Sequence, residues 1–153
     1  TSRGVPAYEI SNHAQPGAES RHNLVYWRYG DYVGSGPGAH GRFDEGNLRS
    51  VTITERNPEK WLQRVESQGH GIIEEESLNQ SQQADEFLLM GLRLTEGIDI
   101  PRFEQLSGRS LNQKRVSVLR EEGMIEPVGN SRLRATPAGM IVLDAVVADL
   151  AME

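Results

Sequence analysis

The sequence predicts an α+β protein with two unlike parts, and three observations support this. Residues 1–55 are rich in glycine, tyrosine, asparagine and histidine and show no helical period. Residues 81–153 carry apolar residues at helical spacing. Within this second part a short ribbon follows three helices and precedes a fourth, which is a winged-helix-like order. We therefore divide the chain into a strand-containing segment at 1–55, a connecting helix and loop at 56–80, and a mostly helical domain at 81–153.

Four short elements are predicted in the first segment. They are strands at residues 7–10 and 32–36, a turn of helix at 21–27 and a hairpin at 41–54, with its turn at 44–47. In the second hairpin strand, Val51 and Ile53 share one face while Thr52 and Thr54 share the other, as expected of a half-buried strand. The apolar residues of this segment are too few for a closed core. We therefore expect it to form the edge of a larger sheet or barrel.

The helices of the remaining chain are predicted from caps and apolar spacing. They cover residues 58–67, 82–95, 100–106, 111–122 and 138–151. Asn79 or Ser81 is predicted to cap the second helix, and Ser110 the fourth. Gly69, Gly108 and Gly123 end three of them. Residues 124–127 and 133–135 are predicted to pair across Gly129-Asn130 as the ribbon.

Composition excludes several classes of function. The chain has 153 residues, a formal net charge of −6 and no cysteine. The acidic balance counts against a general nucleic-acid binder, and without cysteine the chain supplies no disulfide, zinc thiolate or iron–sulfur ligand. With no apolar run near the ~20 residues of a membrane span and no signal peptide, we predict a cytoplasmic protein. Because the sequence starts at Thr1 without a methionine, we expect a piece of a longer protein.

Three N-terminal motifs carry a family resemblance. They are YEISNHAQPG at residues 8–17, HNLVYW at 22–27 and DYVGSGPGAH at 31–40. Together with EFLLMGLRL at 86–94, they resemble radical S-adenosylmethionine proteins related to oxygen-independent coproporphyrinogen III oxidase. Within that family the motifs are most similar to the HemW-type branch, which is associated with haem trafficking. The resemblance extends over essentially the whole chain.

The resemblance implies a particular architecture for the complete protein. It implies a partial (β/α)₆ barrel that holds a [4Fe–4S] cluster on a C-x-x-x-C-x-x-C loop together with S-adenosylmethionine, and a helical domain that covers the barrel. Residues 1–55 would then be the last barrel strands with a hairpin extension. The cysteine loop and the early strands are absent from this sequence. We therefore expect this fragment to bind neither cofactor alone and to be inactive by itself.

The implied function lies in porphyrin biosynthesis or haem metabolism. The complete protein is expected to be either a haem chaperone or an oxidoreductase like coproporphyrinogen dehydrogenase, and this sequence leaves open which of the two it is. The implied partners are the missing N-terminal barrel of the same protein and a tetrapyrrole or haem. An unpaired barrel edge also favours a homodimer.

A glycine-rich loop is the first candidate site. Gly36, Gly38, Ala39 and His40 follow a predicted strand, where barrels of this type place their active sites. The resemblance places these residues beside the adenosyl group of S-adenosylmethionine. The alternative is that the glycines only relieve crowding where the barrel closes, and the sequence does not decide between the two. The loop lacks the Lys-Ser/Thr of a phosphate-binding loop.

Histidines and aromatic residues form the second candidate site. His22 and His40 are candidate haem ligands through a neutral imidazole, and Tyr26 and Trp27 are candidates to stack on a porphyrin. The alternative, which the spacing favours, is that these are hydrogen-bonded structural residues. Glu9 is similarly either a proton-handling carboxylate or a structural hydrogen-bond acceptor.

A different class of function was weighed for the helical domain. In a DNA-binding or protein-docking winged helix, the recognition helix and the wing carry the cations that contact the partner. Here these cations are Lys114, Arg115, Arg120, Arg132 and Arg134. Acidic residues follow on the same helix, and fold alone does not fix function. A packing or docking module is therefore favoured over DNA binding.

Overall fold

The computed structural model describes residues 4–45 and 48–152. By their internal contacts, these residues form two compact units. The first unit combines the N-terminal residues up to Tyr29 with the residues from Gln80 onward, and the second is Gly30–Asn79. The described residues form seven helices and two three-stranded antiparallel sheets. The predicted α+β class is confirmed.

The elements follow one another in this order: α1 (Arg21–Trp27), β1 (His40–Glu45), β2 (Leu48–Thr54), α2 (Pro58–Gln68), β3 (Ile72–Leu78), α3 (Gln80–Gly91), β4 (Ile98–Asp99), α4 (Ile100–Ser107), α5 (Gln113–Glu121), β5 (Ile125–Val128), β6 (Arg132–Ala135), α6 (Pro137–Ile141) and α7 (Leu143–Ala151).

The second unit is built on the sheet β1-β2-β3. The predicted hairpin is confirmed, since β1 and β2 pair from His40 opposite Ile53 to Glu45 opposite Leu48. Of its predicted turn, Gly46 and Asn47 lie outside the described residues. The buried face of β2 is its polar one, with Ser50, Thr52 and Thr54 almost fully covered. Thr54 suits this face because its hydroxyl group hydrogen-bonds to the backbone of Gly36 and Ala39.

Three strand predictions differ from the structure. The predicted loop after α2 contains β3, an edge strand paired with β2; its run of glutamates lacks the alternation by which strands are recognised. The predicted strands at 7–10 and 32–36 are wrong. Their residues make only isolated bridges, Ala7 to His13, Glu9 to Leu94 and Tyr32 to Arg42. None of these bridges is continued by a neighbouring pair, so neither segment forms a ladder.

The core of the first unit surrounds α3, which packs against α4 and α7. The apolar face predicted for this helix is confirmed, because Phe87, Leu88 and Leu92 are buried. The helix ends at Gly91, short of the predicted 95. A side chain at 91 would overlap Ile98 of the adjoining strand, which accounts for the glycine at this position. Further buried members of this core are Phe103, Leu111, Leu119, Ile125, Leu133, Leu143, Val146 and Leu150.

The ribbon of β5 and β6 is confirmed, and β4 adds to it in the order β4-β6-β5. Two helix predictions need correction. Asn112, not Ser110, caps α5, with its side-chain oxygen accepting from the Lys114 amide at 3.1 Å. Ser110 instead donates to Glu104 at 2.6 Å. The predicted last helix is two helices, because Val142 leaves helical geometry and its amide bonds back only three residues, to Gly139.

Candidate functional site

The short helix α1 presents the first group of candidate residues. The Ser20 hydroxyl caps it by accepting from the Asn23 amide at 3.3 Å, which satisfies one of the free donors of the first turn. His22 and Tyr26 are four residues apart and therefore share a helix face. The structure brings them into contact: Nε2 of His22 lies 3.1 Å from the Tyr26 hydroxyl, and their rings meet edge to face with centroids 4.8 Å apart. The His22 side chain stays exposed.

The carboxyl end of α1 is fixed by charged side chains. Arg28 forms a two-pronged ion pair with Glu96, with both nitrogen–oxygen distances at 2.9 Å. Arg102 donates to the carbonyl oxygens of Arg28 and Tyr29, each at 2.9 Å. Tyr29 itself is buried, with its hydroxyl 3.2 Å from Glu86. Its φ of 58° lies in the left-handed region, which ends the helix.

The same ion pair shifts the pKa values of its members. The hydrogen bond to Arg28 lowers the pKa of Glu96 below its usual 4.5, although partial burial opposes this. The hydrogen bond to Glu96 raises the pKa of Arg28. Both groups are therefore charged at neutral pH, and the pair holds the end of α1 in place.

Trp27 is placed differently from His22 and Tyr26. The guanidinium of Arg93 lies 5.0 Å from the centre of its ring, a cation–π distance. Its indole Nε1 is buried without a hydrogen-bond partner among the described residues. Trp27 also lines a cavity of about 280 Å³ together with Phe87, Arg102 and Arg132. That volume is below the ~300–1,000 Å³ of typical ligand pockets, so the cavity is too small to enclose a macrocycle.

The glycine-rich loop lies in the second unit and bonds to its own sheet. The Gly38 amide donates to the Glu55 carbonyl at 2.8 Å, and the Ala39 amide donates to the Thr54 hydroxyl at 2.8 Å. That hydroxyl in turn donates to the Gly36 carbonyl at 2.7 Å. These backbone groups are therefore satisfied within the chain. The loop also presents the exposed side chain of His40.

Local structure explains why four positions of this segment are glycine. A Cβ at Gly34 would lie 2.8 Å from the carbonyl group of His40, and one at Gly41 would overlap the Thr52 hydroxyl. Gly36 and Gly38 have φ values of 92° and 69°, which L side chains rarely adopt. Crowding accounts for the first two glycines and backbone conformation for the other two.

The cations considered for DNA binding are largely engaged with carboxylates. Arg115 pairs with Asp149, Arg134 pairs with Glu126 at 2.7 Å, and Arg132 reaches Glu96 at 3.4 Å. Because these charges are compensated within the chain, they add little attraction for phosphate. This observation disfavours the DNA-binding alternative.

Within residues 4–45 and 48–152, no group of three or more His, Asp or Glu side chains is arranged to hold a metal ion. The same part of the chain contains no helix with the length and apolarity to cross a bilayer. The sequence contains no cysteine, so a cluster bound by thiolates would have its ligands outside these 153 residues.

Sequence reasoning did not find the residues that hold α1. Arg102 and Glu96 contact Arg28 across 74 and 68 positions of sequence. Neither forms a local motif with α1. The one available signal was the cap Asp99 followed by Pro101, which located the start of α4 and hence placed Arg102 in its first turn.

Comparison with known proteins agrees with the motifs. Residues 78–142 match the family described as the HemN C-terminal domain. The chain is 34% identical over 163 aligned residues to the mitochondrial radical S-adenosyl methionine domain-containing protein 1 of Danio rerio, covering 98% of this chain and 36% of that protein. It is 37% identical over 128 residues to the heme chaperone HemW of Bacillus subtilis, covering 81% of this chain and 32% of that protein.

A solved structure shows the same fold. The coproporphyrinogen III oxidase HemN of Escherichia coli, described as a radical SAM enzyme, matches with a TM-score of 0.65 at 15% identity, over 97% of this chain and 37% of that chain. The chain therefore belongs to the family of HemN- and HemW-like radical SAM proteins and corresponds to a C-terminal portion of them. It spans about a third of the length of the curated relatives it matches, with 36% coverage of the Danio rerio protein.

Proposed function

We propose that this chain is part of a haem-binding protein of the chaperone type, and that His22 of α1 supplies a ligand to the haem iron. The observation that carries this proposal is the exposed side chain of His22 on a helix whose carboxyl end is anchored by the Arg28–Glu96 ion pair. An exposed imidazole offers a nitrogen to iron without displacing core residues. The relatives named heme chaperones give the haem assignment its context.

The anchoring of α1 supports a positioning role for the helix. A histidine that would bind haem iron benefits from a fixed direction, because a mobile imidazole gives up conformational entropy when it binds. The ion pair of Arg28 with Glu96 and the two bonds from Arg102 fix the backbone nearly two turns beyond His22. Trp27 is held beneath Arg93, so we assign it to packing at the end of the helix rather than to stacking on the porphyrin.

The glycine-rich loop is proposed to contact S-adenosylmethionine in the complete protein. The amides of Gly38 and Ala39 and the carbonyl of Gly36 are already hydrogen-bonded within the chain, so these three groups would contribute van der Waals contact. His40 would supply a polar side chain beside it. The cofactor and its cluster supply radical chemistry in the family, and no residue of this chain is assigned a step in it.

Titration of the chain with ferric haem tests the assignment of His22. The four histidines are all exposed, so His22→Ala, His40→Ala, His13→Ala and His70→Ala form a matched set. We expect the Soret shift and affinity of the wild-type chain to be lost in His22→Ala and kept in His13→Ala and His70→Ala. A wild-type Soret spectrum in His22→Ala would refute the proposal, and loss only in His40→Ala would move the ligand to the second unit.

The choice between chaperone and oxidase requires the complete protein. A protein with its cluster reconstituted can be incubated with coproporphyrinogen III under reducing conditions without oxygen. We expect haem binding without decarboxylation of the substrate. Formation of vinyl products at catalytic turnover would instead assign the oxidase activity.

The proposed homodimer through a sheet edge stays a prediction. One edge strand, β3, carries Glu74, Glu75 and Glu76 in succession, and the other, β1, is bridged at Arg42 by Tyr32. Charge and coverage of this kind disfavour edge-to-edge pairing. A molar mass twice that of the chain in light scattering would support the dimer, and a monomer mass would rule it out.

A further inference from the structure

A second cavity in the first unit contains a buried carboxylate. Its volume is about 440 Å³, and the N-terminal segment, the β5–β6 ribbon and α6 all line it. Glu9 is one of the lining residues, and its exposed fraction is 0%. The inference that follows does not depend on the haem proposal.

Only half of the Glu9 carboxylate has a partner. Oε1 accepts from the Ser11 amide at 3.1 Å and from the Ser11 hydroxyl at 2.9 Å. Oε2 is buried and receives no hydrogen bond from the residues that the structure describes. The backbone of Glu9 is held by its bridge to Leu94, so the side chain is kept in this position. Burying a carboxylate without a donor or a counter-charge is costly, which makes an unpaired oxygen here informative.

The charges around the cavity leave Glu9 without a counter-ion. Arg134 is the cation among the lining residues, and Glu126 engages it with Oε1 2.7 Å from a terminal guanidinium nitrogen and 2.8 Å from Nε. Arg134 also donates to the Thr95 carbonyl at 3.3 Å. Glu126 therefore compensates the charge of Arg134, and the lining residues offer Glu9 no further cation.

The rest of the wall is mostly apolar. Ile10, Pro137 and Met140 contribute hydrocarbon surface next to the carboxylate. A ligand that satisfies both features has a cationic donor at one end and a short aliphatic chain at the other. The cavity volume falls in the range of small-molecule sites.

We propose that this cavity binds a small organic cation, an alkylammonium group that donates to Oε2 of Glu9 while its chain packs on Ile10, Pro137 and Met140. Because Oε2 is covered in the unbound protein, a lining side chain moves when the ligand enters. Met140 is suited to this, since an unbranched thioether chain changes rotamer at little cost.

The test is a titration of the chain followed by amide nuclear magnetic resonance, with n-butylammonium as the probe. n-Butanol is the neutral probe of matched length. With n-butylammonium we expect saturable shifts at the amides of Thr95 and Ala135. The affinity for n-butanol should be lower by about tenfold or more, because a charged hydrogen bond is lost. Glu9→Gln should weaken n-butylammonium binding by about tenfold or more. Asp85→Asn, an exposed carboxylate change on α3, should leave it unchanged.

Equal affinity for the two probes overturns the proposal, as does full binding by a folded Glu9→Gln chain. The absence of saturable shifts up to about 50 mM n-butylammonium also overturns it, because weak fragment binding is detectable below that concentration. If Glu9→Gln does not fold, the comparison of the two probes on the wild-type chain decides alone.

Discussion

The ion pair between Arg28 and Glu96 allows a quantitative prediction. Glu96 accepts two hydrogen bonds from Arg28 at 2.9 Å and a longer contact from Arg132 at 3.4 Å. The side chains are 52% and 37% exposed, so solvent screens the attraction. Exposed pairs contribute about 0.2–1 kcal/mol, and the two-pronged geometry favours the upper end of that range. We expect Glu96→Gln to lower the free energy of unfolding by about 1 kcal/mol.

Chemical denaturation of the wild-type chain, Arg28→Gln, Glu96→Gln and the double variant forms a complete cycle. We expect a coupling energy of about 0.5–1 kcal/mol and, for a chain of this size, a loss of about 2–4 °C in melting temperature for Glu96→Gln. Asp85→Asn is the control, because Asp85 is exposed and takes part in none of the ion pairs described above for the first unit. If the losses in free energy of unfolding caused by the two single substitutions simply add in the double variant, the role given to this pair is refuted.

The pH dependence of the same pair has a definite sign. The pKa of Glu96 is lower in the folded chain than its usual 4.5. As the pH falls, the unfolded chain therefore protonates Glu96 at a higher pH than the folded chain does. The stabilisation is therefore complete above pH 4.5 and is lost as the pH falls through the folded pKa. The difference in stability between wild type and Glu96→Gln should shrink over that acidic window. An unchanged difference down to the lowest pH at which both fold would contradict this assignment.

Three further predictions concern packing and the haem site. Gly41→Ala should lower the free energy of unfolding by about 1–3 kcal/mol, because its methyl group overlaps the Thr52 hydroxyl. Adding Thr52→Ala should recover part of that loss. Equal stability of Gly41→Ala and the double variant would show that the contact is absent. Phe103→Ala removes a fully buried ring from the core beside α3 and should cost about 3–5 kcal/mol by the same measurement, whereas a cost under about 1 kcal/mol would mean that Phe103 is not a core residue. Tyr26→Phe removes the hydroxyl that contacts Nε2 of His22; in haem titrations we expect up to about tenfold tighter binding, since the imidazole no longer gives up that hydrogen bond, and weaker binding would show that Tyr26 assists the ligand instead.

Local signals allowed most of the helices to be predicted. Pro58 after Asn57 and Gly69 in the left-handed region gave the start and end of α2, and Asp99 with Gly108 did the same for α4. These positions satisfy free backbone groups within one turn, so the information is local. The glycine and asparagine between β5 and β6 located the ribbon for the same reason.

Elements that depend on distant partners were missed or misplaced. The strand β3 exists because it pairs with β2, and its exposed glutamates carry no period of their own. The segment at residues 7–10 was predicted as a strand from its composition, but it makes two isolated bridges, from Ala7 to His13 and from Glu9 to Leu94. Pairing of this kind is decided by tertiary contacts, which a single sequence does not reveal.

The candidate site was predictable in its residue types and not in its geometry. The helical spacing of His22 and Tyr26 was sufficient to place them on one face of α1. The same spacing did not predict that Trp27 packs beneath Arg93. The unpaired oxygen of Glu9 was not foreseeable, because burial and missing donors are properties of the folded chain.

Resonance Raman spectroscopy of the ferrous haem complex tests the central claim most directly. In a chain labelled with ¹⁵N-histidine, the iron–histidine stretch should move to lower frequency, and the band should be absent from His22→Ala while it persists in His13→Ala. An unchanged, isotope-sensitive band in His22→Ala would show that another histidine binds the iron.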